Sequence, residues 1–234
     1  MKLRKTFYIN DEQVKLVNED VRLSLYSPGR AVFQVQHTKP LSGHVRLEVG
    51  YSTQDKDQVY FIGVIRDSQT VDNGQQRLRC RELTSVLYTR LPAALRHPTL
   101  QDVVQWYTDR TGLTFVVPDK AYAERRVPNF YTLGNGFHGL NSLGAIFGIE
   151  NYIWQQQGDG SVFVGSWNDS RWATRPVVIP EEQFTKVTAT GAKKAAVMPQ
   201  LRPGAFLNEQ YLVNVQLTGH EMVTTCEKKL QKLS

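Results

Sequence analysis

The sequence has 234 residues, 41% hydrophobic and 21% charged, the composition of one large or two small folded domains rather than of a disordered chain. Lysines and arginines number 28 against 22 aspartates and glutamates, and the net charge of +6 favours association with something acidic, nucleic acid or protein. No apolar run reaches the length of a membrane span, and none of signal-peptide length follows the basic start at Met1, so a cytosolic chain without membrane insertion is expected. Cys80 and Cys226 lie far apart with no CxxC spacing; small buried hydrophobes are expected there, not a disulfide scaffold or a zinc site.

In chain order, Val21, Leu23 and Leu25 alternate with Arg22 and Ser24, Pro28-Gly29 interrupts, and Ala31 to Val35 resumes the pattern. Val45, Leu47 and Val49 alternate with Arg46 and Glu48. Val59 to Ile65 is a nearly continuous apolar run, in which Gly63 marks a bulge or a close backbone approach. Asn73-Gly74 has the composition of a tight hairpin with two positive-φ residues. The return strand places Leu78, Cys80 and Leu83 on or near one face and Arg77, Arg79 and Arg81 on the other. About five strands separated by turn residues predict a small barrel or sandwich over residues 1–90.

The period then changes. A short helical phrase, SVLYTRL, leads to Leu100, Val103, Val104 and Tyr107, which fall at i, i+3, i+4 and i+7 and form one apolar helix stripe. Thr99 is a good N-cap, Asp102 can complete a capping box, and Gly112 suits the left-handed position after the helix. A strand follows over Leu113 to Val117. A second helical stripe, Leu140, Leu143 and Phe147, is capped by Gly148; strands over Ile149 to Gln156 and Ser161 to Ser166 flank a Gly158-Asp159-Gly160 turn. These units predict an α+β domain over 91–172. Over 173–234, Val177 to Ile179 and Phe184 to Thr190 are β-rich, and Gly191 to Lys194 reads as a loop. Leu201 to Gly204 turns into Ala205 to Leu207, and Gln210 to Leu217 and Glu221 to Glu227 make a hairpin. This last piece is too short for a confident core of its own and is expected to complete the first barrel or form a second, incomplete one. The fold class is therefore α+β, mainly β.

Chemical signatures are sparse. Gly134 to Gly139 is a literal GxGxxG after a strand-like segment, but Asp159, at the spacing of a ribose-binding acid, sits inside a hairpin turn, so close helix packing is the better reading and no cofactor is expected. His37, His44, His97, His138 and His220 are scattered without ligand spacing, and no metal site is expected. No paired acid and base, nucleophile elbow or P-loop is present, and a binding or assembly protein is expected rather than an enzyme. Arg77, Arg79 and Arg81 are either a solvated strand face or a subunit or polyanion contact, in which guanidinium forks would pair with carboxylates across an interface.

The order of VYFIGVIRD, a polar turn, RLRCREL, the helix opening HPTLQDVVQWYTDRTG and the closing LRPGAFLNEQYLVNVQLTGHEMVTTCEKK resembles the baseplate hub proteins of phage tails, the group of late control protein D and the N-terminal half of VgrG spikes. Phe61, Gly63, Ile65, Arg81, Glu82, Leu83, Thr99, Leu100, Asp102 and Val103 stand at the family's corresponding positions, as do Pro203, Gly204, Tyr211, Val213 and Met222 to Glu227. The resemblance implies tail-tube-like small β-barrels with an inserted α+β domain. It implies a homotrimeric ring joining a hexameric tail tube, or a distal tail protein, to a spike formed by another chain. DNA passes through such a ring without specific binding, and the protein belongs to the virion baseplate after assembly in the host cytoplasm. Arg77, Arg79 and Arg81 are then candidate subunit contacts. The middle segment alone is also similar to the ring-forming N-domains of secretins.

Overall fold

Period-two alternation in the first third of the chain gives seven strands in the computed structural model, which describes residues 2–53, 55–187 and 191–233. They are β1 (Leu3–Ile9), β2 (Glu12–Val14), β3 (Leu16–Ser24), β4 (Arg30–Gln36), β5 (His44–Tyr51), β6 (Gln58–Asp72) and β7 (Gln75–Glu82). A 3-10 turn over Leu83–Tyr88 leads to β8 (Ala93–Arg96), α1 (Leu100–Thr111), β9 (Phe115–Val116), α2 (Ala121–Glu124) and β10 (Asn129–Thr132). Next come α3 (Gly136–Phe147), β11 (Tyr152–Gln156) and β12 (Val162–Ser166). The chain then returns to strands with β13 (Lys186–Val187), β14 (Lys193–Ala196), β15 (Phe206–Leu207), β16 (Gln210–Thr218) and β17 (Glu221–Glu227).

One twelve-stranded sheet organises the molecule, in the order β13-β14-β17-β16-β3-β4-β7-β6-β5-β1-β2, with β15 paired to β16. All its pairings are antiparallel. The joint between early and late strands is β16 on β3, where Val215 faces Leu23 and Leu217 faces Val21. A small barrel or sandwich over residues 1–90 was expected, with the last strands completing it or forming a second, incomplete barrel; the late hairpin does join the early strands through the second edge of β3, but the described residues form an open sheet with β13 and β2 at its ends and no closed barrel. Its inward residues share one core, in which Phe7 packs on Phe33 at 4.4 Å and Phe33 on Phe61 at 5.7 Å, with Leu212, Val215 and Met222 in the same cluster.

The α+β unit is inserted between β7 and β13. Its core joins α1 and α3 to β11 and β12 through Tyr107, Leu140, Phe147, Trp154 and Val164. Helix α1 forms as its sequence predicts. The Thr99 side chain accepts from the Asp102 amide, the Asp102 carboxylate accepts from the Thr99 amide at 2.8 Å, and Gly112 takes φ 72°. Gln156 fastens this unit to the large sheet, accepting from the Thr84 amide at 3.1 Å and donating to the Ile62 carbonyl at 2.9 Å. No helix among the described residues is long and apolar enough to cross a membrane.

Local expectations diverge at several points. Neither Asn73 nor Gly74 takes positive φ; the Asp72 carboxylate accepts from the Gly74 amide at 2.8 Å, and this Asx turn closes the hairpin instead. The paired positive-φ turns lie at Asn10-Asp11 (48° and 66°) and Asn208-Glu209 (46° and 61°). Gly63 marks a close approach and not a bulge: a Cβ there would stand 2.1 Å from the Arg81 carbonyl oxygen, while the register slips nearby between Leu47 and Glu48. Strand β14 includes Lys193 and Lys194, expected in a loop, because they pair with Thr224 and Val223. Of the strand expected over Phe184 to Thr190, only Lys186 and Val187 form β13, and 188–190 lie outside the described residues. Cys226 is only partly buried.

Candidate interaction surface

Strand β7 carries a different cargo on each face. Inward it presents Gln76, Leu78, Cys80 and Glu82, and outward Arg77, Arg79 and Arg81, all exposed. Antiparallel register decides what stands beside each arginine. Arg81 lies opposite Arg30 of β4, which lies opposite Arg22 of β3, so three guanidiniums form a row across three neighbouring strands. One step along, Arg79 lies opposite Val32 on one side and Asp67 on the other, and Val32 lies opposite Asp20. Arg66, the unpaired residue where the register shifts between Ile65 and Asp67, joins Arg79 and Arg81 in lining the groove on this side of the row. A second groove, lined by Ser24, Pro28, Asn214 and Thr225, borders its other side.

The charges in this patch do not balance. Arg22 makes a forked contact with Asp20, with distances of 2.8 to 3.2 Å, and this hydrogen-bonded carboxylate raises its pKa. Arg79 stands 3.9 Å from Asp67. Arg30, Arg66 and Arg81 have no carboxylate within 4.0 Å among the described residues. Like charges directly opposite on paired strands oppose pairing, so the row is held by the sheet beneath it and not by its own interactions.

Of the three sequence candidates, the structure brings Arg79 and Arg81 together and leaves Arg77 apart, beside Gln34 and Gln69 further along the strand. Arg22, Arg30 and Arg66 complete the patch. Each was visible only as a polar residue in or beside a strand, and nothing local to any of them signals the register that aligns them.

Behind Arg81, the inward Glu82 enters a buried ionic knot. Glu82 and Arg202 are 4% and 5% exposed, and their side chains meet at 3.4 Å. The second Glu82 oxygen accepts from the Gly29 amide at 2.6 Å, and Arg202 donates to the Tyr60 carbonyl. Burial raises the Glu82 pKa, opposed by Arg202 and by the Gly29 hydrogen bond. The knot ties the end of β7, the residue before β4, the start of β6 and the turn before β15 together, and so fixes the end of the strand from which Arg81 projects.

The GxGxxG segment serves packing. Asn135 caps α3 by accepting from the His138 amide at 2.9 Å, and Cβ atoms at Gly136 and Gly139 would stand 2.8 Å from Leu91 and 1.9 Å from the Tyr107 hydroxyl. Strand β11 pairs antiparallel with β12, so the parallel strand of a dinucleotide fold does not follow α3. No group of three or more His, Cys, Asp or Glu side chains with metal-holding geometry occurs among the described residues.

No protein-family profile matches the sequence. The chain is 32% identical over 228 residues to an uncharacterized 58.7 kDa protein of Haemophilus phage HP1, an alignment covering 97% of this chain and 42% of that protein. The chain thus spans about two fifths of the curated relative it matches. Among solved structures, it is similar to the 43 kDa tail protein of prophage MuSo2 from Shewanella oneidensis, with a TM-score of 0.72, 8% identity and coverage of 100% of both chains. A tail protein from Neisseria meningitidis MC58 aligns with a TM-score of 0.68 and 10% identity over 100% of this chain and 98% of its own. An Escherichia coli type VI secretion component, described as structurally similar to the T4 tail proteins gp27 and gp5, aligns with a TM-score of 0.64 and 12% identity over 100% of this chain and 80% of its own. The fold of this chain is thus similar along its whole length to two proteins described as tail proteins and to a type VI secretion component.

Proposed function

We propose that this chain is a structural, non-enzymatic component of a phage or phage-like tail, placed in the baseplate hub as a trimeric ring between a hexameric tube and a trimeric spike. The observation that carries the reading is the match in fold along this whole chain with tail proteins and with a type VI secretion component described as similar to gp27 and gp5. The sheet supports it. Its terminal strands β2 and β13 are short, and their outer edges have no strand partner among the described residues, so neighbouring copies can cover them and complete tube-like walls. The ring would leave a channel through which DNA passes without specific contacts.

Light scattering after size exclusion tests the ring. Three copies of a 26.7 kDa chain give about 80 kDa, a mass that should hold across dilution once the ring has closed. A monomer at every concentration, which also fails to co-sediment with purified tail tubes, would overturn the hub assignment.

A further inference from the structure

The arginine row is not explained by the fold, which gains nothing from three guanidiniums aligned across β3, β4 and β7. We infer that Arg30 and Arg81, flanked by Arg22, Arg66 and Arg79, form a docking site for an acidic segment of a different protein chain. The inference deepens the tail reading, on which the identity of that chain as another tail component rests; the site itself rests on charge and register.

Several observations select this occupant. Arg30, Arg66 and Arg81 are exposed and without carboxylates, so an incoming acid meets unsatisfied forks and needs to break no existing ion pair. Position argues against a contact between copies. The row lies in the middle of the sheet, away from the open ends at β2 and β13 through which copies would join. The chain's own charge of +6 also makes an acidic partner the better match. The grooves argue against nucleic acid. No aromatic side chain lines either one to stack on a base, whereas an extended peptide needs no such platform. Geometry agrees, since carboxylates on alternate residues of an extended segment are about 6.8 Å apart, within reach of long side chains on strands about 4.8 Å apart. The exposed Val32, two residues along β4 from Arg30, offers an apolar contact beside the row.

The probe is a fluorescein-labelled hexaglutamate peptide, followed by anisotropy at low and physiological salt. Saturable binding is expected, weakened about tenfold or more in Arg30→Ala/Arg81→Ala and by less than about twofold in Arg77→Ala, which removes the same charge from the same strand off the row. Arg30→Lys/Arg81→Lys keeps the charge without the fork and should fall between. Unchanged urea midpoints show that the variants remain folded, and the lysine pair supplies the test if the alanine pair does not fold.

Equal losses in Arg77→Ala and in the double variant would place binding elsewhere and overturn the proposal. A thymidine oligonucleotide of about 20 nucleotides that binds more tightly, with the same dependence on Arg30 and Arg81, would reassign the row to a phosphate polyanion. Loss of an oligomer in the double variant, with no hexaglutamate binding by the wild type, would make the row a contact between copies. Hexaglutamate binding by a protein that stays monomeric and does not co-sediment with tail tubes upholds the site while the hub assignment falls.

Discussion

Replacing Arg202 by methionine removes one half of the buried ionic knot while keeping much of the side chain's volume. Glu82, 4% exposed, would retain only the Gly29 amide as a donor, and the Tyr60 carbonyl would lose the guanidinium. Breaking a buried pair by removing one partner costs about 3–5 kcal/mol, because a desolvated charge is left behind. For a chain of this length that corresponds to a fall in Tm of about 6–20 °C. The loss should depend on pH in a definite sense. Burial already holds the Glu82 pKa above its ordinary 4.5, with Arg202 pulling it back down. An acid whose folded pKa is raised binds its proton more tightly when folded, so its contribution is most favourable below the unfolded value and declines as pH rises through the folded one. Without Arg202 the folded value climbs further, and the decline extends to higher pH. Urea unfolding followed by tryptophan fluorescence at about pH 5 and about pH 8 should show the larger part of the cost at the higher pH. The double variant Glu82→Gln/Arg202→Met should recover much of the loss and remove the difference between the two pH values. A cost in Arg202→Met below about 1 kcal/mol at the higher pH, or one equal at both, would refute the account of the knot as a paired buried charge.

Two further outcomes follow from the packing. Gly139→Ala places a Cβ 1.9 Å from the hydroxyl of the fully buried Tyr107, and should lower stability by about 1–3 kcal/mol in urea unfolding; a neutral substitution would mean that α3 shifts freely against α1. Burial pushes the Cys80 thiol up to about 12 and the Cys226 thiol up to about 11, so both should react slowly with a disulfide reagent near pH 8 in the folded protein and rapidly in urea. Fast native labelling of Cys80 would contradict its place on the inward face of β7.

What could be read from the sequence was what local chemistry determines. Helix α1 was legible from stripe to cap because Thr99, Asp102 and Gly112 act within one turn of the elements they end. The alternation of β3, β4, β5 and β7 was legible for the same reason, since each strand shows its own two faces. Strand β1 was not, because Arg4 and Lys5 interrupt its apolar pattern; Lys5 bonds Glu19 and the Gly219 carbonyl, both distant in sequence. The turn at Asn73-Gly74 misled because an aspartate at position 72 offers the loop another way to close. The arginine row and the Glu82–Arg202 knot were illegible for a common reason. Each assembles residues from separate strands through register, and register is a property of pairs.

The seam between β16 and β3 has a consequence for how the chain is made. Gln216 donates to Asp20 across 196 residues of sequence, which translation covers in about 10–40 s at about 5–20 residues per second. Throughout that interval β3 has its β4 neighbour on one side and bare amides and carbonyls on the other, while the α+β unit, with its own core and local helices, is free to fold. Synthesis therefore passes through a half-built wall with one sticky margin, and the late hairpin of β16 and β17 acts as the closing stitch. Slowing translation between Leu207 and Gln210 would prolong that exposure, and aggregation during expression should rise with the length of the pause.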